Sequence, residues 1–207
     1  MGIRLTWPIP RRSLLSRATE GKLRIASILL SIGIRSRTYF DYLARAAAKA
    51  LAHDHDMPWP VLYDDHGEPQ SLNPALNDWC AAHGVGFWDM HDVAVYEISS
   101  PWYFLAAAGD PRAYDLLVKG LHSRNLMIVA TAAQGLGKLQ DPRAVDELIA
   151  TGRQVPGEAR FGAGQALLFF SDPRAQAAAE EFIPNKTTLE HQRQDIKTRG
   201  KHALFPW

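Results

Sequence analysis

Three tetrads constrain this chain more than anything else in it. Asp110-Pro111-Arg112-Ala113, Asp141-Pro142-Arg143-Ala144 and Asp172-Pro173-Arg174-Ala175 recur at an interval of 31 residues. A fixed period of that length marks stacked supersecondary units. Each tetrad has the chemistry of a helix start. The aspartate accepts from amides that lack partners in the first turn, the proline sits where its missing N–H is harmless, and the alanine opens a buried face. Further positions keep the register: Leu105 with Leu136 and Leu167, Ala108 with Leu139 and Phe170, and Leu117 with Leu148. The unit is therefore read as two helices. One runs for about ten residues from each Asp-Pro, and the other fills Asn125 to Leu139 and Pro156 to Phe170 before the next tetrad. Small residues at Ala132, Ala133, Ala163 and Gly164 let neighbouring helices approach closely. A lone pair cannot cover its own apolar face, so stacking is what stabilises it.

The run from Ala132 through Gly135-Leu136-Gly137-Lys138 to Asp141-Pro142-Arg143-Ala144-Val145 resembles the short HEAT-like repeat of the bilin-lyase type. In that pattern Ala-Ala-x-Ala-Leu-Gly leads into Asp-Pro-Arg-Ala after a Val-Arg pair. Here the pair stands as Ala159-Arg160 in one copy, with Ile128-Val129 and Glu97-Ile98 at the corresponding places of the others. The resemblance spans Tyr96 to Ile183. It implies an all-α fold, an α-solenoid of about three HEAT-like two-helix repeats with a helical and irregular N-terminal cap. It also implies that the longer helix lines a concave face and that Arg160 pairs with a motif aspartate. It points to no chemistry, because such repeats serve as scaffolds in unrelated proteins.

At 207 residues and 46% hydrophobic, the chain is long enough for one sizeable core. The expected organisation is a basic N-terminal extension over 1–37, a cap segment over 38–95, the repeats over 96–183 and a C-terminal tail over 184–207. A formal net charge of +1 lacks the excess of a typical nucleic-acid binder. The charge is uneven, since residues 1–38 hold eight Arg or Lys against one acid, Glu20. That arm suits weak contact with an anionic surface, and no specific nucleic-acid partner is expected. Cys80 is the sole cysteine, which excludes an intramolecular disulfide and a thiolate-rich zinc site. The longest apolar stretch, Leu23 to Ile34, is short and interrupted, so no transmembrane segment is expected. Arg11-Arg12-Ser13-Leu14-Leu15 faintly resembles a twin-arginine export signal, but Arg17, Glu20, Lys22 and Arg24 intervene. A cytoplasmic protein is expected, with export as the alternative.

Upstream of the repeats, Tyr39, Phe40, Leu43, Ala46, Ala47, Ala50 and Leu51 recur at helical spacing and predict a helix from Arg37 to His53. Val61 to Tyr63 and Gln70 to Leu72 flank Asp65-His66-Gly67 and allow a small hairpin. Asn73-Pro74 predicts a short helix to His83, ended by Gly84.

Nothing in the chain identifies an enzyme, and no cofactor is implied. Phosphate-cradling glycine loops, a nucleophile elbow and a helix-borne His-Glu-x-x-His are all absent from the sequence. Di-iron repeat enzymes of the deoxyhypusine hydroxylase kind resemble this architecture but use His-Glu pairs, of which there are none here. The alternative to a binding module is a metal-dependent enzyme or lyase-like accessory subunit. It would draw on the His and Asp cluster over 53–92, with His53, His55, His66 and His91 as ligands. Trp59, Trp79, Trp88, Tyr96, Trp102, Tyr103 and Phe104 gather near the first repeat, as a cap requires, and Trp102 and Phe104 cannot both face inward beside Leu105 unless that helix is enclosed all round. The partner-binding expectation rests on two ladders beside the leucine column. They are Tyr103, Gln134 and Gln165, with Tyr96, Met127 and Glu158 about two turns earlier. These lie where a protein or peptide segment would run.

Overall fold

The tetrads open their helices through one shared set of contacts. In the computed structural model, which describes residues 11–52, 61–63, 69–83 and 100–200, Asp110, Asp141 and Asp172 each accept the backbone N–H of the arginine two residues on. The distances are 3.0, 3.1 and 2.8 Å. That arginine then turns its guanidinium back onto the same carboxylate at 2.6, 2.6 and 2.8 Å. Ala113, Ala144 and Ala175 behind them are fully buried. The first copy passes through a 3-10 turn, Pro111–Ala113, whereas the third enters its α-helix directly at Pro173.

In chain order the described elements are α1 (Arg11–Ser31), α2 (Arg37–Ala52), β1 (Val61–Tyr63), β2 (Pro69–Leu72), α3 (Pro74–His83) and α4 (Ser100–Ala108). Then come α5 (Tyr114–Leu121), α6 (Leu126–Leu139), α7 (Ala144–Gln154), α8 (Gly157–Leu167), α9 (Pro173–Phe182) and α10 (Lys186–Arg199). The strands pair antiparallel as the expected hairpin, with Val61 opposite Leu72 and Leu62 opposite Ser71, before an irregularity brings Tyr63 opposite Pro69. Asn73 caps α3 as anticipated, accepting from the amide of Ala75 at 3.1 Å. Asn125 does the same for α6, accepting from Met127 at 2.9 Å.

The helices pack in two rows. An inner row places α4 against α6 and α6 against α8, and an outer row runs α5, α7, α9 behind it, with α5 on α6 and both α7 and α9 on α8. At the N-terminal end α1 packs on α2 and α4, and α2 packs on α4. Arg37, the last residue of the expected extension, is the first residue of α2, and α1 before it buries Leu23, Ala26 and Leu30. Residues 184–207, read from sequence as a tail, include α10, which is capped by Asn185 and sends Leu189 into the core.

Leu105, Leu136 and Leu167 are completely buried. Burial of such a side chain stabilises by roughly 1.5–3 kcal/mol. Trp102 and Phe104 are both buried together with Leu105, the arrangement that requires α4 to be enclosed nearly all round. The reason is that α4 has neighbours on several sides, α1, α2 and α6. Glycine sets the closest approaches. A Cβ at Gly137 would lie 2.8 Å from the Cα of Ala166 in α8, and one at Gly152 would lie 2.1 Å from the Phe182 ring of α9. The buried Lys138 spends its ammonium on the C-terminal end of α4, donating to the carbonyl of Ala107.

Candidate partner-binding face

Two residues before each buried leucine of the inner row stands Tyr103, Gln134 or Gln165. Two residues are about 200° of helical turn, so these side chains point away from the leucine column. The structure brings the two glutamines into direct contact. Gln134 Nε2 donates to Gln165 Oε1 at 2.9 Å, and Gln165 Nε2 donates to Gln192 Oε1 at 3.0 Å. Three primary amides therefore run head to tail across α6, α8 and α10, each of them half-buried. A chain of amides polarises its members cooperatively. Each amide also keeps a second N–H and a second lone pair beyond those used within the chain. Chemically this is a strip offering donors and acceptors side by side, the pattern that matches an extended peptide backbone.

Tyr103 stands on α4, the inner helix preceding this strip, half-buried and edge-on to Phe104 at 5.7 Å between ring centroids. Burial pushes its phenol pKa up, against the opposing charge of Arg24 on α1. The hydroxyl is therefore a neutral donor and acceptor at physiological pH. Met127 and Glu158 are half-buried on α6 and α8, and Met127 also packs against the core. Tyr96 lies outside the described residues, as do His53, His55, His66 and His91. Among the described residues no group of three His, Cys, Asp or Glu side chains is placed to hold a metal ion. The hairpin strand β1 comes within contact distance of α8.

Arg160 departs from its expected partner. Its guanidinium faces Glu181 at 3.8 Å and lies over the Phe182 ring at 5.3 Å. The motif aspartates are already occupied by the arginine two residues on, whose short turn brings it back to the carboxylate. Those arginines carry a role that the sequence reading missed. Arg112 lies over the ring of Phe40 in α2 at 4.4 Å, and Arg143 lies over Tyr114 in α5 at 4.1 Å. Arg174 instead reaches Asp146 in α7 at 2.8 Å. Each tetrad is thereby tied to an earlier helix, α2, α5 or α7 in turn, by a cation–π contact twice and by an ion pair once. The only sequence signal was that Arg is as invariant within the tetrads as Asp and Pro.

Gln192 was missed for a different reason. It follows Gln165 by 27 residues, one helical turn short of the 31-residue interval, so a search at a fixed period lands on Ile196.

The family described as PBS lyase HEAT-like repeat matches residues 128–151, which run from α6 through the second tetrad into α7. No curated protein and no solved structure matches the chain.

Proposed function

We propose that this HEAT-like repeat protein is an α-solenoid of about three two-helix repeats and acts as a protein-interaction module, holding an extended segment of a partner protein along its inner row of helices. HEAT-like repeats commonly serve as protein-interaction modules, which supports the class. The observation that carries the specific reading is the amide chain Gln134–Gln165–Gln192. Side chains this polar seldom line up across three helices merely to satisfy one another, because each is half-exposed and could be solvated instead. Held in a row, they lose little further rotamer entropy when a backbone docks on them, which lowers the cost of binding. Tyr103 on one side and Met127 near the strip supply apolar area for side chains of the bound segment.

The test is selection of disordered peptides from a displayed library on the intact protein. Selected peptides are expected to lose at least tenfold in affinity on Gln165→Ala, about 1.4 kcal/mol. The same truncation on the outer row, Gln154→Ala, leaves binding unchanged. Peptides that bind Gln165→Ala as well as the parent, or that respond to Gln154→Ala, overturn the assignment of the binding face.

A further inference from the structure

A second surface lies on α1. Its buried residues Leu23, Ala26 and Leu30 form one face of the helix. Ile25, Ile28 and Ile32 fall within an arc of about 60° on roughly the opposite side. They are 60%, 38% and 67% exposed, and Ile34 just beyond the helix is 47% exposed. Isolated exposed aliphatics are ordinary, but Ile25, Ile28 and Ile32, the last just past the helix and still bonded through its N–H to the Ile28 carbonyl at 3.1 Å, form an apolar stripe that Ile34 extends beyond the turn at Gly33. The flanks of the stripe are basic. Lys22 and Arg24, both exposed, stand about 80° to either side of it. Arg35 and Arg37 follow at its C-terminal end, also exposed. No acid occurs between Gly21 and Thr38. Arg37 has Asp41 at 3.6 Å, Arg24 bears on Tyr103, and Arg35 bears on Asp110.

We infer that α1 is a membrane-surface docking helix, which lays its isoleucine stripe into the headgroup boundary of an anionic bilayer while Lys22, Arg24, Arg35 and Arg37 engage the phosphates. An apolar stripe with cations on both edges is what an in-plane helix needs, because the long basic side chains reach back to the charged headgroups. A nucleic acid would use the cations and leave the isoleucines in water. A protein groove would have no need of cations on both flanks. The helix lies on the surface and does not cross it, since no helix among the described residues is long and apolar enough to span a membrane. The opposite face of α1 is fixed on α2 and α4, so the stripe is presented by a rigid body and needs no folding on contact.

The experiment is flotation of the full chain with vesicles of equimolar phosphatidylglycerol and phosphatidylcholine, and with vesicles of phosphatidylcholine alone. The protein is expected to float with the anionic vesicles only, less so at high salt. Substituting Ile25→Gln, Ile28→Gln and Ile32→Gln together removes most of the bound fraction while the thermal midpoint stays within a degree or so, because these side chains are exposed. Lys22→Gln with Arg24→Gln lowers the partition roughly fivefold for each charge removed. Failure of the parent protein to float overturns the inference, as does flotation that survives the isoleucine substitutions. So does a dimer in solution that those substitutions dissociate, which would assign the stripe to self-association.

Discussion

Asp110 is the most enclosed of the three motif aspartates, 6% exposed, and it both caps the 3-10 turn and holds Arg112 over Phe40. Asp110→Ala is therefore expected to cost about 1–2 kcal/mol in urea unfolding, with Asp110→Asn recovering the part due to the amide cap. The arginine hydrogen bond is the leading cause holding the Asp110, Asp141 and Asp172 carboxyls below the ordinary aspartate range. Folded, these groups bind protons less readily than in the unfolded chain, where the pKa is about 3.9. Their contribution is thus fully present above that value and is lost as pH falls through the lower folded values. The urea midpoint should stay level in the pH range above about 5 and then fall below about 4, less steeply in Asp110→Asn. Asp141 and Asp172 contribute less, being more exposed to solvent screening. The aspartate's role was readable from sequence because caps have a fixed offset from the helix. The arginine's was not, since Arg at the second position of a helix start reads as solvated until the turn geometry folds it back.

Helix contacts were legible where the period held and illegible where it slipped. The leucine columns, α6 and α8 followed from spacing alone, and Ala113, Ala144 and Ala175 are buried as their positions require. The enclosure of α4 did not follow, because it depends on α1 and α2, which lie far upstream and carry no copy of the tetrad. The candidate site divides along the same line. Gln134 and Gln165 were found through the register, whereas Gln192 escaped through the one-turn offset of α10. Two glycines test the packing directly. Gly137→Ala puts a methyl 2.8 Å from the Ala166 backbone, which cannot swing aside, and should cost about 1–3 kcal/mol. Gly21→Ala in α1 meets nothing within 4 Å and should gain about 0.5–1 kcal/mol from helix propensity. Thermal unfolding of the two variants should move in opposite directions; a Gly137→Ala protein as stable as the parent contradicts the close approach of α6 and α8.

For the whole molecule, the proposed solenoid has each helix row covering the next, so a defect in the middle should be felt more than one at an end. Leu136→Ala in central α6 is expected to cost about 2–5 kcal/mol. Leu189→Ala in α10 should cost less, because Leu189 is 6% exposed whereas Leu136 is fully enclosed. Equal losses in chemical denaturation would count against a row-by-row stack. The stacking and the inner face share one geometric claim, that residues a repeat apart stand side by side and that the last helix joins one turn early. Side-chain amide signals in a nitrogen-proton correlation spectrum test it most directly. Gln165→Ala should displace the side-chain NH2 resonances of both Gln134 and Gln192 while leaving those of Gln154 on the outer row in place. If Gln134 and Gln192 do not move, the three amides are not in contact and the binding strip does not exist.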